Sequence, residues 1–107
     1  MDCVFCQIVS GTSPATVHFQ DDEIIVISNK LQWVPIMLIG MPKKHLTQQQ
    51  LWQDGVVGLI GKALVDLGDQ YSPGGYRLIS NFGRDAMQSQ QHGHVHLLGG
   101  TSLGPYA

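Results

Sequence analysis

Three histidines alternate near the end of this chain, at His92, His94 and His96. A β-strand has a side-chain period of two, so a strand here would place all three imidazoles on one face. Val95 and Leu97 would then point to the opposite face and pack on a core. Imidazole serves as a nucleophile, a proton carrier or a metal ligand near neutral pH. The pattern therefore predicts a half-buried strand with one reactive face.

Length and composition favour one small globular domain over residues 1–107, with a modest hydrophobic core. Apolar residues make up 43% of the chain, charged residues make up 13%, and the formal net charge is −2. So few charges do not provide the broad basic surface that binds a nucleic-acid polymer. A single nucleotide needs only a pocket, so small nucleotides remain candidate ligands.

The sequence has no segment typical of membrane insertion or export. Its densest apolar run, residues 34–41, is far shorter than the roughly 20 residues that span a bilayer. The first residues lack a basic stretch followed by a long apolar one, so a signal peptide is not expected. We therefore expect a cytoplasmic protein with no membrane partner.

Short predicted strands lie on both sides of one helical segment. The apolar runs Val17–Phe19 and Ile24–Ser28 flank an Asp-Asp turn and predict a hairpin. A helical turn over residues 3–10 precedes them, and Gly11 is placed to end it. The other predicted strands are Ile36–Met41, Tyr76–Asn81 and the histidine segment. This order favours an α+β domain with an antiparallel sheet over a doubly wound fold.

The central helix is predicted from a capping box and an apolar stripe. Thr47 is the expected N-cap, with Gln50 reaching back to it. Apolar residues then recur at steps of three and four, which is the spacing of one helix face. They are Trp52, Val56, Leu59, Ile60, Ala63, Leu64 and Leu67. Gly68 is the expected C-cap, and glycines at 55, 58 and 61 predict a flat side for close packing.

The only two cysteines, Cys3 and Cys6, have Cys-x-x-Cys spacing. Thiolates and imidazoles are the usual zinc ligands, and a closed structural site needs four of them, so this pair supplies half a site. The other ligands would come from the five histidines. Two buried thiols with no metal are the simpler alternative. A thioredoxin-like redox pair is disfavoured because no βαβ unit surrounds the cysteines.

Polar side chains also stand just before the histidines and after the third predicted strand. Gln88 and Ser89 offer an amide and a hydroxyl that suit a phosphate or a leaving group, although polar loop residues are often merely solvated. Lys43 and Lys44 follow the strand end and are placed to steer an anion, or to form an ordinary solvated turn.

Taken together, these segments resemble the histidine triad family of nucleotide-binding proteins over nearly the whole chain. The resemblance is most specific in the run of histidines with its trailing Gly-Gly, which is similar to the phosphoramidase-like branch. The matching segments are Cys3–Gly11, Asp21–Ser28, Pro42–Leu46, Gly75–Gly83, Gln88–Ser89 and His92–Gly100.

The resemblance implies a fold and an activity. The fold is a five-stranded antiparallel sheet with one long helix and a short N-terminal helix, and two copies would form a ten-stranded sheet across a homodimer. The activity is hydrolysis or transfer of a nucleoside monophosphate from a phosphoramidate or an adenylated small molecule. A purine nucleotide is the expected ligand, and no organic cofactor is expected.

The resemblance also implies a role for individual residues. His94 is the expected nucleophile, which forms a covalent nucleotidyl-histidine that water then resolves. The expected catalytic set is His92, His94, His96 and Ser89, in which His96 contacts phosphate oxygens and Ser89 assists the leaving group. The expected nucleotide-binding set is Asn29, Asn81, Gln88, Ser89, His94 and His96. The expected ligands of a structural zinc are Cys3, Cys6, His45 and His92.

Several positions depart from the family's pattern. Met37 stands where a histidine commonly supports the active-site relay, and Asn29 stands where an acidic residue usually contacts the ribose. Met87, Gln90 and Gly93 are further departures in and after the polar loop. They support an alternative, a nucleotide-binding or interaction protein with weak or lost turnover. A third possibility is a zinc-stabilised scaffold whose site is vestigial.

Overall fold

A computed structural model describes residues 3–105, so the first two and last two residues of the predicted domain lie outside it. The helices are α1 (Val4–Ser10), α2 (Gln48–Gln53) and α3 (Val57–Tyr71). The strands are β1 (Val17–Gln20), β2 (Ile24–Ser28), β3 (Ile36–Pro42), β4 (Tyr76–Ile79) and β5 (Val95–Gly99). A short 3₁₀ turn covers Arg84–Ala86. In this part of the chain, no helix is long and apolar enough to cross a membrane.

The five strands form one antiparallel sheet in the order β1-β2-β3-β5-β4. The last strand therefore does not lie at an edge. It inserts between β3 and β4, with His96 opposite Ile39 on one side and opposite Ile79 on the other. The predicted α+β fold with a five-stranded antiparallel sheet is confirmed, and the histidine segment leads into the interior of that sheet.

Both faces of the sheet carry a core. Strand β2 shows this most clearly, because Ile24 and Val26 pack under α3 while Ile25 and Ile27 pack under α1. Such burial on both sides explains why β2 reads as a continuous apolar run rather than an alternating one. The α1 face has fewer covering residues than the α3 face, and it is this face that leaves room for a site.

The helix α3 sits close to the sheet because of a glycine in β3. A Cβ built on Gly40 would lie 2.6 Å from the Cγ2 atom of Ile60 and 3.4 Å from Leu64. Both of those helix residues are fully buried. A side chain at position 40 would therefore force the helix away from the strand.

The predicted capping box is present, but the predicted continuous helix is wrong. The Thr47 hydroxyl accepts from the Gln50 N–H at 3.1 Å, and the Thr47 N–H donates to the Gln50 side chain at 2.9 Å. The helix nevertheless ends at Gln53, because Gly55 has a φ of +81°, in the left-handed region. A second helix then begins at Val57.

The break at Gly55 changes which residues are buried. Trp52 and Leu59, both placed in the apolar stripe, are 47% and 43% exposed. Trp52 lies on the separate helix α2, so it no longer keeps the phase of α3, and Leu59 falls at the edge of the buried stripe formed from Ile60 onwards. The glycines at 58 and 61 face open space, with no described atom near a built Cβ.

The prediction that Gly68 is the C-cap is also wrong. Helix α3 continues to Tyr71, and Gly68 is buried within it against the ring of Tyr76. A built Cβ there would lie 2.6–2.7 Å from ring atoms of Tyr76. The Tyr76 hydroxyl is anchored by donating to Asp69 at 2.8 Å, so the ring has little freedom to move aside.

The strand at the histidines begins later than the alternation predicts. Residues of β5 pair with β3 only from Val95 onwards, so His92 and His94 precede the ladder. Two backbone hydrogen bonds hold their segment instead. The Gly93 N–H donates to the Leu46 carbonyl at 2.6 Å, and the His94 N–H donates to the side chain of Gln48. Strand β4 is also shorter than predicted, because it ends at Ile79, two residues before the predicted end.

Two glycine substitutions in α3 should change the free energy of unfolding in opposite directions. Gly61→Ala should stabilise the protein by up to about 1 kcal/mol, because alanine is the better helix former and nothing obstructs its Cβ. Gly68→Ala should destabilise it by about 1–3 kcal/mol, because the Tyr76 ring must shift. Urea unfolding measures both, and similar values for the two variants would contradict the described packing.

Candidate functional site

The imidazole of His92 is fully buried, and its hydrogen bonds assign a role to each nitrogen. Its Nε2 lies 2.7 Å from the Pro42 carbonyl oxygen. A carbonyl only accepts, so Nε2 carries the proton and Nδ1 presents a lone pair. That Nδ1 lies 3.5 Å from the sulfur of Cys3 and 3.5 Å from the sulfur of Cys6. His92 is therefore oriented to act as a ligand beside two thiols.

Four metal-ligating side chains converge at this point. The Sγ of Cys6 also lies 3.2 Å from Nδ1 of His45, and one ligand atom from each of Cys3, Cys6, His45 and His92 lies within 4.8 Å of the others. In a tetrahedral zinc site, neighbouring sulfur and nitrogen ligands are about 3.5 Å apart. The donor types and the spacing both fit such a site.

Local structure explains how the two cysteines join this group. Cys3 is the N-cap of α1, and its sulfur accepts from the backbone N–H of Cys6 at 3.3 Å. The first turn of the helix therefore directs both sulfurs to one side. The structure brings the predicted half-site together with His45 and His92, whereas His18 lies on the other face of the sheet beside Ser28 and is not part of the group.

His94 is connected directly to this cluster through the backbone of His92. Its Nδ1 lies 2.8 Å from the His92 carbonyl oxygen, so Nδ1 carries the proton and Nε2 is left with a lone pair. Among residues 3–105, only Nδ1 of this ring has a hydrogen-bond partner. Burial lowers the pKa of His94, although its bond to the carbonyl acts in the other direction. The ring is thus neutral and has an unprotonated nitrogen, as a nucleophile requires.

His96 lies beside His94 on the same face of the sheet. The two ring centroids are 4.9 Å apart, in an edge-to-face arrangement. Burial lowers the pKa of His96 to about 4, with a further contribution from the neighbouring His94. His96 is therefore neutral at pH 7 and can exchange hydrogen bonds with a ligand without bringing a full positive charge.

The two histidines open onto a cavity of about 960 Å³ on the α1 face. Apolar residues form its walls, including Phe5 and Ile8 from α1 and Ile27 and Ile39 from the sheet. Large apolar walls with a few convergent polar groups are typical of small-molecule sites. Five of the predicted binding residues line this cavity, namely Asn29, Asn81, Ser89, His94 and His96.

Gln88, the sixth predicted binding residue, is used inside its own loop. Its side-chain oxygen accepts from the Gly83 N–H at 2.8 Å, and its amide donates to the Gln90 carbonyl at 2.8 Å. It is not among the residues that line the cavity. Gln88 therefore shapes the loop that carries Ser89, and direct contact with a nucleotide stays a prediction.

All of the departures from the family pattern except Gly93 line the cavity. Met37 lines it, and the Met37 sulfur accepts from the Trp33 N–H at 2.9 Å. Met87 lines it with a φ of 63°, the only positive φ at a non-glycine position between residues 3 and 105, and its side chain is 83% exposed. Gly93 is required by packing, since a Cβ there would lie 2.9 Å from the Thr47 carbonyl oxygen.

Sequence reasoning missed several residues that line the cavity. Lys30, Leu31 and Trp33 belong to a segment that reads as a polar, irregular loop, yet all three line the cavity and Trp33 is 77% exposed. The apolar walls were missed for a different reason, because wall and core residues look alike in a sequence. A tryptophan within a polar segment was the one signal available in the sequence.

Gln48 was also missed, and it connects two sides of the site. Its side chain is fully buried at the start of α2. The oxygen accepts from the His94 N–H at 3.0 Å, and the amide donates to the Asn81 carbonyl at 3.1 Å. One side chain thus positions both the histidine segment and the strand end that carries Asn81. The only sequence signal was its place directly after the N-cap Thr47.

Known proteins match this chain over nearly its whole length. A family model described as "Scavenger mRNA decapping enzyme C-term binding" matches residues 2–106. An uncharacterized HIT-like (histidine triad-like) protein of Chlamydia muridarum is 35% identical over 111 residues, covering 100% of this chain and 88% of that protein.

Solved structures with the same fold include three histidine triad proteins. A histidine triad protein from Clostridium difficile has a TM-score of 0.91 at 28% identity, covering 100% of this chain and 97% of its own. A HIT family hydrolase from Clostridium thermocellum has a TM-score of 0.90 at 32% sequence identity, and the match covers 98% of this chain and 96% of that one. A Zn-bound histidine triad family protein from Mycobacterium smegmatis has a TM-score of 0.80 at 24% sequence identity, and the match covers 92% of this chain and 75% of that one.

Replacing Gln48 by methionine should destabilise the protein by about 1–3 kcal/mol, because the shape is kept while the buried His94 N–H loses its acceptor. The matched control is Gln49→Met, at an exposed position next to it, which should stay within about 0.5 kcal/mol of the original. Thermal unfolding monitored by circular dichroism measures both. Equal melting temperatures for the two variants would show that the Gln48 bridge contributes nothing.

Proposed function

Since this chain belongs to the histidine triad family, we propose that it is a nucleotide-binding hydrolase or transferase in which His94 is the nucleophile. Its substrates are nucleoside phosphoramidates or adenylated small molecules that carry a purine nucleotide. The observation that carries the proposal is the bond from Nδ1 of His94 to the His92 carbonyl, which leaves Nε2 as a lone-pair nitrogen at an apolar cavity.

The reaction proceeds in two displacements at the α-phosphorus. In the first, Nε2 of His94 forms a bond to phosphorus while the bond to the leaving group breaks, and the leaving group departs with its electron pair and takes up a proton. In the second, water attacks phosphorus and loses a proton, the phosphorus–nitrogen bond breaks with its electron pair returning to Nε2, and the nucleoside monophosphate is released. A transfer reaction differs only in that another acceptor replaces water.

The neighbouring side chains supply positioning and charge stabilisation, which phosphoryl chemistry mainly needs. His96 lies next to the nucleophile and contacts the phosphate oxygens. Ser89 lines the cavity on the polar loop and donates to the leaving group. His92 serves through its carbonyl, which keeps the proton on Nδ1 of His94 during the attack.

Zinc is the metal that this donor set favours, because two thiolates and two imidazoles at tetrahedral spacing are its usual ligands. Cys3, Cys6, His45 and His92 would hold it, and the fold neighbour from Mycobacterium smegmatis is described as Zn-bound. All four ligands come from the protein, so we assign the metal a structural role. When bound, it would lock the ring of His92 and thereby the carbonyl that orients His94.

The functional unit that we propose is a homodimer. Among residues 3–105, strand β4 lies at one edge of the sheet, with β5 on its inner side. A second copy paired along this edge would extend the sheet to ten strands and would remove an exposed edge.

A second candidate function is nucleotide binding with slow turnover. It is favoured by Met37, whose sulfur is engaged by the Trp33 N–H and whose side chain cannot pass on a proton. Release of product distinguishes this candidate from the first, because both predict binding and only the first predicts rapid release of AMP.

AMP release from adenosine 5′-phosphoramidate tests the enzyme proposal. His94→Ala should lower the rate by roughly 10³-fold or more, since it removes the nucleophile. His18→Ala is the matched control, because His18 packs against Tyr71 of α3 on the opposite face of the sheet, and the rate of this variant should be unchanged. If the original protein binds AMP but releases none above background, the slow-turnover candidate is correct.

Metal content tests the zinc proposal. Protein purified without chelator should contain one zinc per chain by elemental mass spectrometry. Cys6→Ala should lose most of it and lower the melting temperature, because the site closes only with four ligands. The variant His18→Ala should keep its zinc. Full zinc content in Cys6→Ala, or none in the original protein, would overturn the assignment.

A further inference from the structure

The backbone of His94 is held at a point where the pairing of β4 with β5 has ended. Strand β4 pairs with β5 as far as Ile79, which lies opposite His96. His94 comes before β5, so this pairing does not reach the proposed nucleophile. The next residue after β4 makes the connection with its side chain. The Ser80 hydroxyl donates to the His94 carbonyl oxygen at 2.9 Å, within the usual range for such a bond.

This bond completes a closed cycle of hydrogen bonds around His94. On the other side, Gln48 accepts from the His94 N–H at 3.0 Å and donates to the Asn81 carbonyl at 3.1 Å. Asn81 directly follows Ser80, so both connections end on the same two neighbouring residues. A side chain therefore fixes the peptide group on each side of the His94 imidazole. The imidazole itself is fixed separately, by the His92 carbonyl.

Trp52, on helix α2, supports the Ser80 hydroxyl from outside. Its indole nitrogen lies 3.4 Å from the Ser80 oxygen, which is a long hydrogen bond. An indole N–H only donates and a carbonyl only accepts. The Ser80 oxygen therefore accepts from Trp52 while its proton goes to His94. Phe82 lies beside the indole, with ring centroids 6.1 Å apart, so the segment that carries Ser80 also keeps Trp52 in place.

The partial exposure of Ser80 distinguishes its role from that of Gln48. Gln48 is fully buried, so the loss of its amide leaves buried polar groups without partners and costs stability. Ser80 is only half-buried, and a water molecule can take the place of a lost hydroxyl. Water would satisfy the His94 carbonyl without holding it in one position. Loss of the Ser80 hydroxyl should therefore affect the position of His94 more than the stability of the fold.

We propose that Ser80 is a positioning residue for His94 and that Trp52 supports it. Ser80 does not line the cavity, so it acts through the His94 backbone and not on a ligand. Phosphoryl transfer depends mainly on positioning, and a nucleophile displaced by about 1 Å can lose on the order of 10²-fold in rate. This inference rests on the proposed function, because it takes Nε2 of His94 to be the nucleophile.

A single-turnover reaction with adenosine 5′-phosphoramidate tests the proposal, with the His94 adduct measured by mass after quenching at high pH. Ser80→Ala should form the adduct about tenfold more slowly, which corresponds to the loss of one hydrogen bond. Its affinity for AMP, measured by calorimetry, should stay within about twofold, because only the reacting geometry changes. Ser80→Thr keeps the hydroxyl and should restore most of the rate.

The matched control is Ser72→Ala, at the other end of the same two strands. The Ser72 hydroxyl also donates to a backbone carbonyl, that of Gly75 at 2.7 Å, and it accepts from the Gly100 N–H at 2.7 Å. Because Ser72 is buried, its loss should lower the melting temperature more than Ser80→Ala does. The rate of adduct formation, measured well below that temperature, should be unchanged.

A double-mutant cycle tests the role of Trp52. Trp52→Phe keeps an aromatic ring beside Phe82 but removes the N–H, and it should slow adduct formation by about two- to threefold, as expected for a long hydrogen bond. In the Ser80→Ala background the same change should have no further effect, because Trp52 acts through the Ser80 hydroxyl. An equal effect in both backgrounds would overturn this part of the proposal.

The results distinguish this inference from the proposed function. If Ser80→Ala forms the adduct as fast as the original protein, Ser80 does not position the nucleophile and the proposed function stands. If the rate, the AMP affinity and the melting temperature all fall together, or if Ser80→Thr does not restore the rate, the role of Ser80 is structural and the inference is wrong. If the original protein binds AMP but forms no adduct, the proposed function fails and this inference fails with it.

Discussion

The site depends on one hydrogen bond, from Nε2 of His92 to the carbonyl oxygen of Pro42. It places the proton on the nitrogen that faces β3 and leaves Nδ1 as a lone pair beside the sulfurs of Cys3 and Cys6. The backbone carbonyl of the same residue accepts from Nδ1 of His94. A candidate metal cluster and the proposed nucleophile are thereby joined through a single residue. Metal ligands are commonly oriented by such outer hydrogen bonds.

The sheet order makes this arrangement rigid. Because β5 inserts between β3 and β4, the histidine segment has a hydrogen-bonded neighbour on each side of its strand, and Pro42 comes from one of those neighbours. The segment before the strand has no ladder, so Gln48 and the Leu46 carbonyl hold its backbone instead. Buried N–H groups are costly when unpaired, so helix α2 is tied to the site as well as to the core. Positioning therefore comes from elements far apart in the sequence.

Local patterns in the sequence predicted most of the fold but only part of the site. The Thr47 capping box and the Gly11 end of α1 depend on neighbouring residues, and the structure has both. The helix break at Gly55 was not predicted, because a glycine inside an apolar stripe is compatible with either a weakened helix or a left-handed turn. The role of Gln48 could not be predicted either. It depends on a contact to a residue 46 positions away in the sequence.

The most direct measurement of the central claim is the mass of the protein during turnover. The protein is mixed with adenosine 5′-phosphoramidate and quenched at high pH, where a phosphorus–nitrogen bond to histidine survives. The account predicts a gain of one adenylyl group, located by fragmentation on His94 and absent from His94→Ala. An adduct on another residue, or AMP release from the original protein with no adduct at any time point, would contradict it. The hydrogen bond to the His92 carbonyl would then orient a ring that is not the nucleophile.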